Sequence, residues 1–262
     1  MCLVSVVMSV FNEEKYIERV MDSILSQTFT DFEFIIIDDG STDRTLEILH
    51  SYNDKRILII QQSNKGLTAS LNVGINHSQG KYIARQDADD ISYPSRLMEQ
   101  VSYFFNNSSV AVLATRGLII DGARSQNTPF YSNPVIIKKL RLRNILIHSS
   151  VMIRKDIFES IGLYDEQYRT SQDYDAWIRL SEVGEISMID KVLMSREVRI
   201  DSISNKKLLT QCLNSFKIRR NRIWLVMNIF QTSYQFLSNS LPRPIYDYFF
   251  EGKIFNAFRK RF

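Results

Sequence analysis

The residues best suited to chemistry crowd into one stretch, Tyr82–Leu97, reading YIARQDADDISYPSRL. An apolar run, Tyr82-Ile83-Ala84, leads into Asp87, Asp89 and Asp90, and Pro94-Ser95-Arg96-Leu97 then has the form of a helix start. Asp87 and Asp89 stand at the mouth of what reads as a buried strand, where two carboxylates repel each other unless a cation shares them. A hard divalent ion takes oxygen ligands, usually one or two carboxylates together with the phosphates of a substrate. Asp87-Ala88-Asp89 therefore points to a metal and nucleotide-diphosphate site. Alone, such a triplet reads better as a solvated acidic loop that caps the next helix. The elements that position it decide between the two.

Leu3–Val10 (LVSVVMSV) and Phe32–Ile37 (FEFIII) are nearly continuous runs rich in branched side chains, as strands covered on both faces must be. Glu13-Glu14 open a helix between them, with Tyr16, Ile17, Val20, Met21, Ile24 and Leu25 at helical spacing. Asp38-Asp39-Gly40-Ser41-Thr42-Asp43 ends the second strand; Gly40 permits a tight turn, and Ser41 or Thr42 can cap a helix running through His50. Arg56–Gln61 is a third strand, Asn64-Lys65-Gly66 a turn, Leu67–Asn76 a helix and Lys81–Ala84 a fourth strand. Short links in a β-α-β-α-β-α-β order predict a parallel sheet flanked by helices, with ligands bound beyond the C-terminal strand ends. Ser9–Asn12, Asp38–Ser41 and Asp87–Asp90 all fall there. Neither G-x-G-x-x-G nor G-x-x-x-x-G-K-[ST] follows a strand, which disfavours a dinucleotide fold and a phosphate-loop NTPase.

Further on, Pro94–Asn106 reads as a helix, Val110–Thr115 and Leu118–Asp121 as strands, Pro134–Ile147 as a helix with a solvated basic face (Lys138, Lys139, Arg141, Arg143), and His148–Ile153 as a strand. Ile161–Asp165 is a turn, and Gln172–Leu180 starts another helix with Asp173 in its first turn, where the helix dipole favours an anion. Asp90 is expected to make capping or supporting bonds, Asp175 to be structural, and Trp177 to anchor the core. Asp38 and Asp39 could also serve as helix caps, and His148 as a satisfied core histidine.

At 262 residues the chain suits one large α/β domain or two small ones. Two cysteines, Cys2 and Cys212, make no disulfide framework and suggest a reducing compartment. The N-terminus lacks a basic leader pattern, and no apolar run reaches the length of a membrane span. From Asn205 onward eleven Lys/Arg stand against two Asp/Glu, a balance of +9, so the remainder carries −5. A nucleic-acid binder, suggested by the overall basicity, is disfavoured because the body is acidic and the cations concentrate in the tail. Lys206, Lys207, Lys217, Arg219, Arg220 and Arg222 alternate there with Leu208, Leu209, Leu213, Phe216 and Ile218, followed by Trp224–Phe230 and an aromatic, basic end at Tyr246–Phe262. Cations beside aliphatic and aromatic side chains suit a helix lying in the headgroups of an anionic membrane, or else a helical hairpin packed on the domain.

In register, SVVMSVFNEE, ILSQTFTDFEFIIIDDGSTD, NKGLTASLNVGI, YIARQDADD with PSRL, HSSVMIRKD, IGLYDE and QDYDAWIRL resemble a family 2 glycosyltransferase, inverting and metal-dependent, over about Leu3 to Arg199. The resemblance implies a GT-A fold: a mixed, mostly parallel sheet flanked by helices, with a C-terminal helical extension. It implies a catalytic domain over 1–204 (a nucleotide half, 1–92, and an acceptor half, 93–204) and a basic tail over 205–262. By the same resemblance Ser9 and Phe11 line the uracil and ribose pocket, and Asp39 accepts the uracil N3–H. Asp87 and Asp89 are the family's Asp-x-Asp, Asp89 the more direct ligand of Mn²⁺ or Mg²⁺. Asp173 is the general base, and His148 and Gln172 border the acceptor. Gln172 departs from the glutamate usual there, which touches acceptor recognition rather than the base. The implied reaction moves a hexose, glucose or galactose, from a UDP-sugar to a GlcNAc or GalNAc on a polyprenyl diphosphate. The implied product is a β-1,3 linkage in an O-antigen or other surface polysaccharide repeat, made at the cytoplasmic face of the cell membrane. A sugar nucleotidyltransferase would share the fold but needs a Gly-rich, basic loop after the first strand, which SVFNEE lacks. A sugar-binding relative without activity is disfavoured by Asp39, Asp87, Asp89 and Asp173.

Overall fold

The computed structural model describes residues 2–199 and 208–218. Strands β1 (Val4–Val10), β2 (Phe32–Asp38), β3 (Ile57–Gln61) and β4 (Tyr82–Asp87) alternate with helices α1 (Ile17–Leu25), α2 (Thr45–Ser51) and α3 (Leu67–His77). These four strands are parallel, in the spatial order β3-β2-β1-β4. Both faces of β1 and β2 are covered. Val4, Val6, Met8, Phe32, Phe34 and Ile36 join a core with α1, and Val7 packs on the other face with Leu71 and Ile75 of α3. This double burial explains the unbroken apolar runs. Gly74 lets α3 lie close on the sheet, since a Cβ there would come within 2.6 Å of Val7 Cγ1.

Beyond β4 come β5 (Ile91–Ser92), α4 (Arg96–Asn106), β6 (Val110–Asp121), β7 (Arg124–Asn127), α5 (Asn133–Leu140), a 3₁₀ turn (His148–Ser150), β8 (Met152–Arg154), α6 (Lys155–Ser160), α7 (Gln172–Leu180), β9 (Glu185–Glu197) and α8 (Leu208–Ile218). They extend the same sheet as β4-β8-β6-β9-β5, with β8 antiparallel to β4 and β6, and β7 paired on β6. The result is the mixed, mostly parallel sheet flanked by helices of the GT-A class.

Several elements differ from expectation. Val110–Thr115 and Leu118–Asp121 form one strand, β6, because the register shifts around Arg116 and Gly117 absorb the irregularity without breaking pairing. The helix expected over Pro134–Ile147 stops at Leu140. His148–Ser150 is a 3₁₀ turn rather than strand, because His148 and Ser149 turn inward to buried partners, Tyr164 and Asp90. Ser41 and Thr42 do not cap α2. The Thr45 N–H goes to Asp43 Oδ1 at 2.9 Å, leaving Ser41 and Thr42 to bind Asn12. Of the basic tail, α8 is described; Trp224–Phe230, Tyr246–Phe262 and the flanking cations lie outside the described residues. No described helix is long and apolar enough to cross a membrane.

Candidate functional site

Register brings the first site residues together. Ser9 on β1 pairs with Ile37 of β2 on one side and Asp87 of β4 on the other. Phe11 follows and is 45% exposed, unusual for a phenylalanine beside a core strand. Asn12, held at a positive φ of 55°, ties this loop to the next: its N–H donates to Ser41 Oγ (3.0 Å), and its Oδ1 accepts from the Thr42 N–H (2.7 Å). Asp38 Oδ1 closes the turn by accepting from the Ser41 N–H at 3.2 Å. Asp39 is buried, and its carboxylate accepts from Gln62 Nε2 (2.7 Å), Lys65 N–H (2.9 Å) and Gly66 N–H (2.8 Å). Gly66 reaches it at φ 90°, a backbone angle that favours glycine. Asp39 thus fixes the loop between β3 and α3, and three of its roughly four acceptor positions are taken.

The acidic triplet is wired into a layer of buried arginines. Asp87 Oδ1 pairs with the buried Arg85 Nη2 at 2.5 Å. Burial pushes the Asp87 carboxyl up, but Arg85 and Arg196 outweigh it and hold the group below the usual range. Asp89 moves the other way: burial and then the neighbouring Asp87 charge raise it, against the pull of Arg199 and Arg196. Arg199 Nη1 lies 3.2 Å from Asp89 Oδ2 and 2.8 Å from Glu13 Oε2, with its guanidinium over the Tyr16 ring. Asp90 turns into the protein and accepts from Ser149 Oγ; burial and the Asp87 charge push it up to about 8. Below it, fully buried Arg96 donates to Gln86 Oε1 (2.9 Å), Ser92 Oγ (2.7 Å) and the Arg85 carbonyl (2.7 Å), which fixes the turn carrying the triplet.

Asp173 opens α7 behind Ser171, which takes the left-handed conformation at φ 64°. Its Oδ2 accepts from Asn144 Nδ2 at 2.6 Å. Burial raises the Asp173 carboxyl; the Tyr174 N–H and Asn144 counter that, and the Asp87 charge adds to it. Asp87 and Asp173 therefore sit within electrostatic reach of each other, and Arg196 of β9 acts on Asp87, Asp89, Asp90 and Asp173 alike. Gln172 is buried beside Asp173. His148 lies deeper: its Nε2 is 2.7 Å from Tyr164 Oη, and its ring meets Tyr164 and Trp177 edge-on. Burial holds its imidazole neutral, pushed down to about 3. Trp177 is fully buried, and Asp175 pairs with Arg179 at 2.7 Å, so both are structural.

Sequence reasoning missed Arg85, Asn144, Arg196 and Arg199. The alternation of Ile186, Met188, Val192 and Met194 in β9 was the available signal for the strand that delivers the last two arginines.

The donor set can be tested against a metal. Asp87 and Asp89 offer hard oxygen atoms of like charge, and Asp89 is disfavoured as an anion while Asp87 stays ionised. Among the described residues no group of three or more His, Cys, Asp or Glu is arranged to cage an ion. Two carboxylates without a protein cage fit a divalent cation that completes its shell with substrate phosphates.

The profile of Glycosyl transferase family 2 matches residues 5–162, more than half of the chain. The chain is a family 2 glycosyltransferase. It is 33% identical over 218 residues to a chondroitin synthase of Escherichia coli, a match covering 82% of this chain and 32% of that protein. This glycosyltransferase thus spans about a third of the length of that relative. Its fold matches S. aureus TarS 1-349 in complex with UDP-GlcNAc, with a TM-score of 0.69 at 19% identity, over 94% of this chain and 69% of that one. It also matches the mannosyltransferase PcManGT from Pyrobaculum calidifontis in complex with GDP-Man and Mn²⁺, with a TM-score of 0.66 at 15% identity, over 91% and 71%.

Proposed function

We propose that this glycosyltransferase moves a hexose, glucose or galactose, from a UDP-sugar to a GlcNAc or GalNAc carried on a polyprenyl diphosphate. The product is a β-1,3 linkage in an O-antigen or related surface polysaccharide repeat. The observation that carries the reading is the convergence of Ser9, Asp39 and Asp87 at the C-terminal strand edge with Asp173 of α7. Ser9 and Phe11 border the nucleoside, and Asp39 uses its remaining acceptor position for the uracil N3–H. Asp89, with Asp87, would hold Mn²⁺ or Mg²⁺, which would supply charge stabilisation to the leaving diphosphate. Asp173 takes the proton from the acceptor hydroxyl as that oxygen bonds to the anomeric carbon and the sugar–phosphate bond breaks. One displacement inverts the carbon, so an α-linked donor gives a β-linked product. Gln172, beside the base, and His148, behind it, shape the acceptor side. Residues 1–92 form the donor half and 93–204 the acceptor half of one catalytic domain.

The lipid acceptor places the enzyme on the inner face of the cell membrane. Support comes from α8. It anchors beside α7 through Asn214 Nδ2, which donates to the Thr170 carbonyl at 2.9 Å, and it buries Cys212 and Ile218. It leaves Leu209 and Leu213 exposed by 62% and 56%, next to Lys217. An apolar edge flanked by cations suits an anionic bilayer. UDP-glucose, UDP-galactose, UDP-GlcNAc and GDP-mannose tested with a synthetic GlcNAc- or GalNAc-diphosphate lipid, with Mn²⁺ and with EDTA, check the reaction. Metal-dependent UDP release from UDP-glucose or UDP-galactose is expected; UDP release from UDP-GlcNAc alone, GDP release from GDP-mannose alone, or release from none contradicts the donor assignment. Sedimentation with anionic liposomes at low salt checks the membrane; a chain that stays in the supernatant refutes that part.

A further inference from the structure

Asp173 lies within electrostatic reach of two charged groups, Asp87 on β4 and Arg196 on β9, and of the neutral Tyr164 hydroxyl ahead of its own helix. None of these is its hydrogen-bond partner. The side-chain donor that Asp173 has among the described residues is Asn144, in the segment between α5 and the 3₁₀ turn, at 2.6 Å. That segment is held by backbone bonds from the Leu142 and Arg143 N–H groups to the Lys139 carbonyl, both 2.9 Å, and by the buried side chain of Leu146.

The amide itself has one orientation. Asn144 Oδ1 accepts from the Leu146 N–H at 3.2 Å, so the NH₂ end must face Asp173. A flipped amide would lose the Leu146 bond and set oxygen against carboxylate. The chemistry of the donor also matters. Arg85 pairs with Asp87 and holds it as a settled anion. A guanidinium on Asp173 would do the same and strip it of basicity, whereas a neutral amide orients the carboxylate and leaves it able to take a proton.

We infer that Asn144 is a positioning residue: it grips Oδ2 of Asp173 and so presents the carboxylate to the acceptor hydroxyl in one orientation. This rests on Asp173 being the base. The test is ¹³C-carboxyl NMR titration of the full chain labelled at aspartate, with the Asp173 resonance identified by its loss in Asp173→Asn. Transfer kinetics accompany it for wild type, Asn144→Ala and Asn144→Asp. Removing a donor to the charged form raises the carboxyl further. In Asn144→Ala the Asp173 titration, and with it the acidic limb of kcat/KM, moves up by about one pH unit. kcat falls about tenfold, and KM for the UDP-sugar is unchanged. Asn144→Asp, with two carboxylates in contact, moves the titration further still.

A merely structural Asn144 would lower Tm in both variants while leaving the Asp173 titration and kcat in place, and that result overturns the inference. The two readings fail separately. An inert Asp173→Asn beside an unaffected Asn144→Ala removes only the positioning role, whereas an active Asp173→Asn removes the base itself.

Discussion

Asp87 and Asp173 are two half-buried carboxylates within electrostatic reach of each other, and their surroundings push them in opposite directions. Burial would raise both. At Asp87 a buried guanidinium 2.5 Å away, together with Arg196, reverses the effect and keeps the group ionised. At Asp173 the direct side-chain partner is a neutral amide, burial wins, and the group stays above the ordinary carboxylate range. A carboxylate kept ionised suits a cation and a diphosphate; one poised higher suits proton abstraction. Environments that separate two carboxylates in this way are the physical signature of divided roles.

The comparison breaks most completely at Asp89. Asp89→Asn keeps the shape of the triplet but removes a charged oxygen, and transfer should fall about 10³-fold, as should wild type in EDTA. Assays of UDP release with and without added Mn²⁺ check both; a variant as active as wild type would take Asp89 out of the metal site.

The next effect is on stability. Arg85→Met leaves half-buried Asp87 without its counter-charge and should cost about 3 kcal/mol, read as a lower midpoint in urea unfolding. Because Asp87 is held low in the fold, its contribution is present above its unfolded value and lost as pH falls through the folded one. The Arg85→Met deficit should therefore shrink at strongly acidic pH. A variant with wild-type stability at pH 7 would contradict the pairing.

Asp90 sharpens the contrast more gently. It is pushed up to about 8, so the folded state holds a proton that the unfolded state releases near the ordinary value. Stability from this group is full below the unfolded value and declines as pH rises from about 4 to about 8. Asp90→Asn should flatten that decline. Tm measured across the window tests it, and an unchanged slope would assign the decline to another group.

The parallel half of the fold was legible because strands buried on both faces must be nearly continuous and apolar, as β1 and β2 are. The acidic triplet was legible because carboxylates at such a strand end have few structural uses. The other half was hidden for equally physical reasons. β9 carries Asp190 and Lys191 at its centre, where the paired register shifts and the side chains reach water, so its pattern breaks. Arg196 and Arg199 went unread with it. Asn144 sits outside any helix or strand, and a single asparagine has no periodicity to show. His148–Ile153 read as strand because it runs into the apolar Val151-Met152-Ile153, yet Tyr164 and Asp90 draw His148 and Ser149 into a turn. Asp39 shows a further limit: sequence exposes a carboxylate at a strand end, but not that Gln62, Lys65 and Gly66 fold back onto it.

The proposed division of labour between the two carboxylates is tested most directly by Asp173→Asn, assayed for UDP-sugar binding in the presence of Mn²⁺ and for transfer to the proposed lipid-linked acceptor in the same preparation. The account predicts that donor affinity is unchanged while transfer drops between about 10²- and 10⁴-fold, the range for a lost general base. Transfer at the wild-type rate, or a loss of donor binding that explains the lost rate, would contradict it.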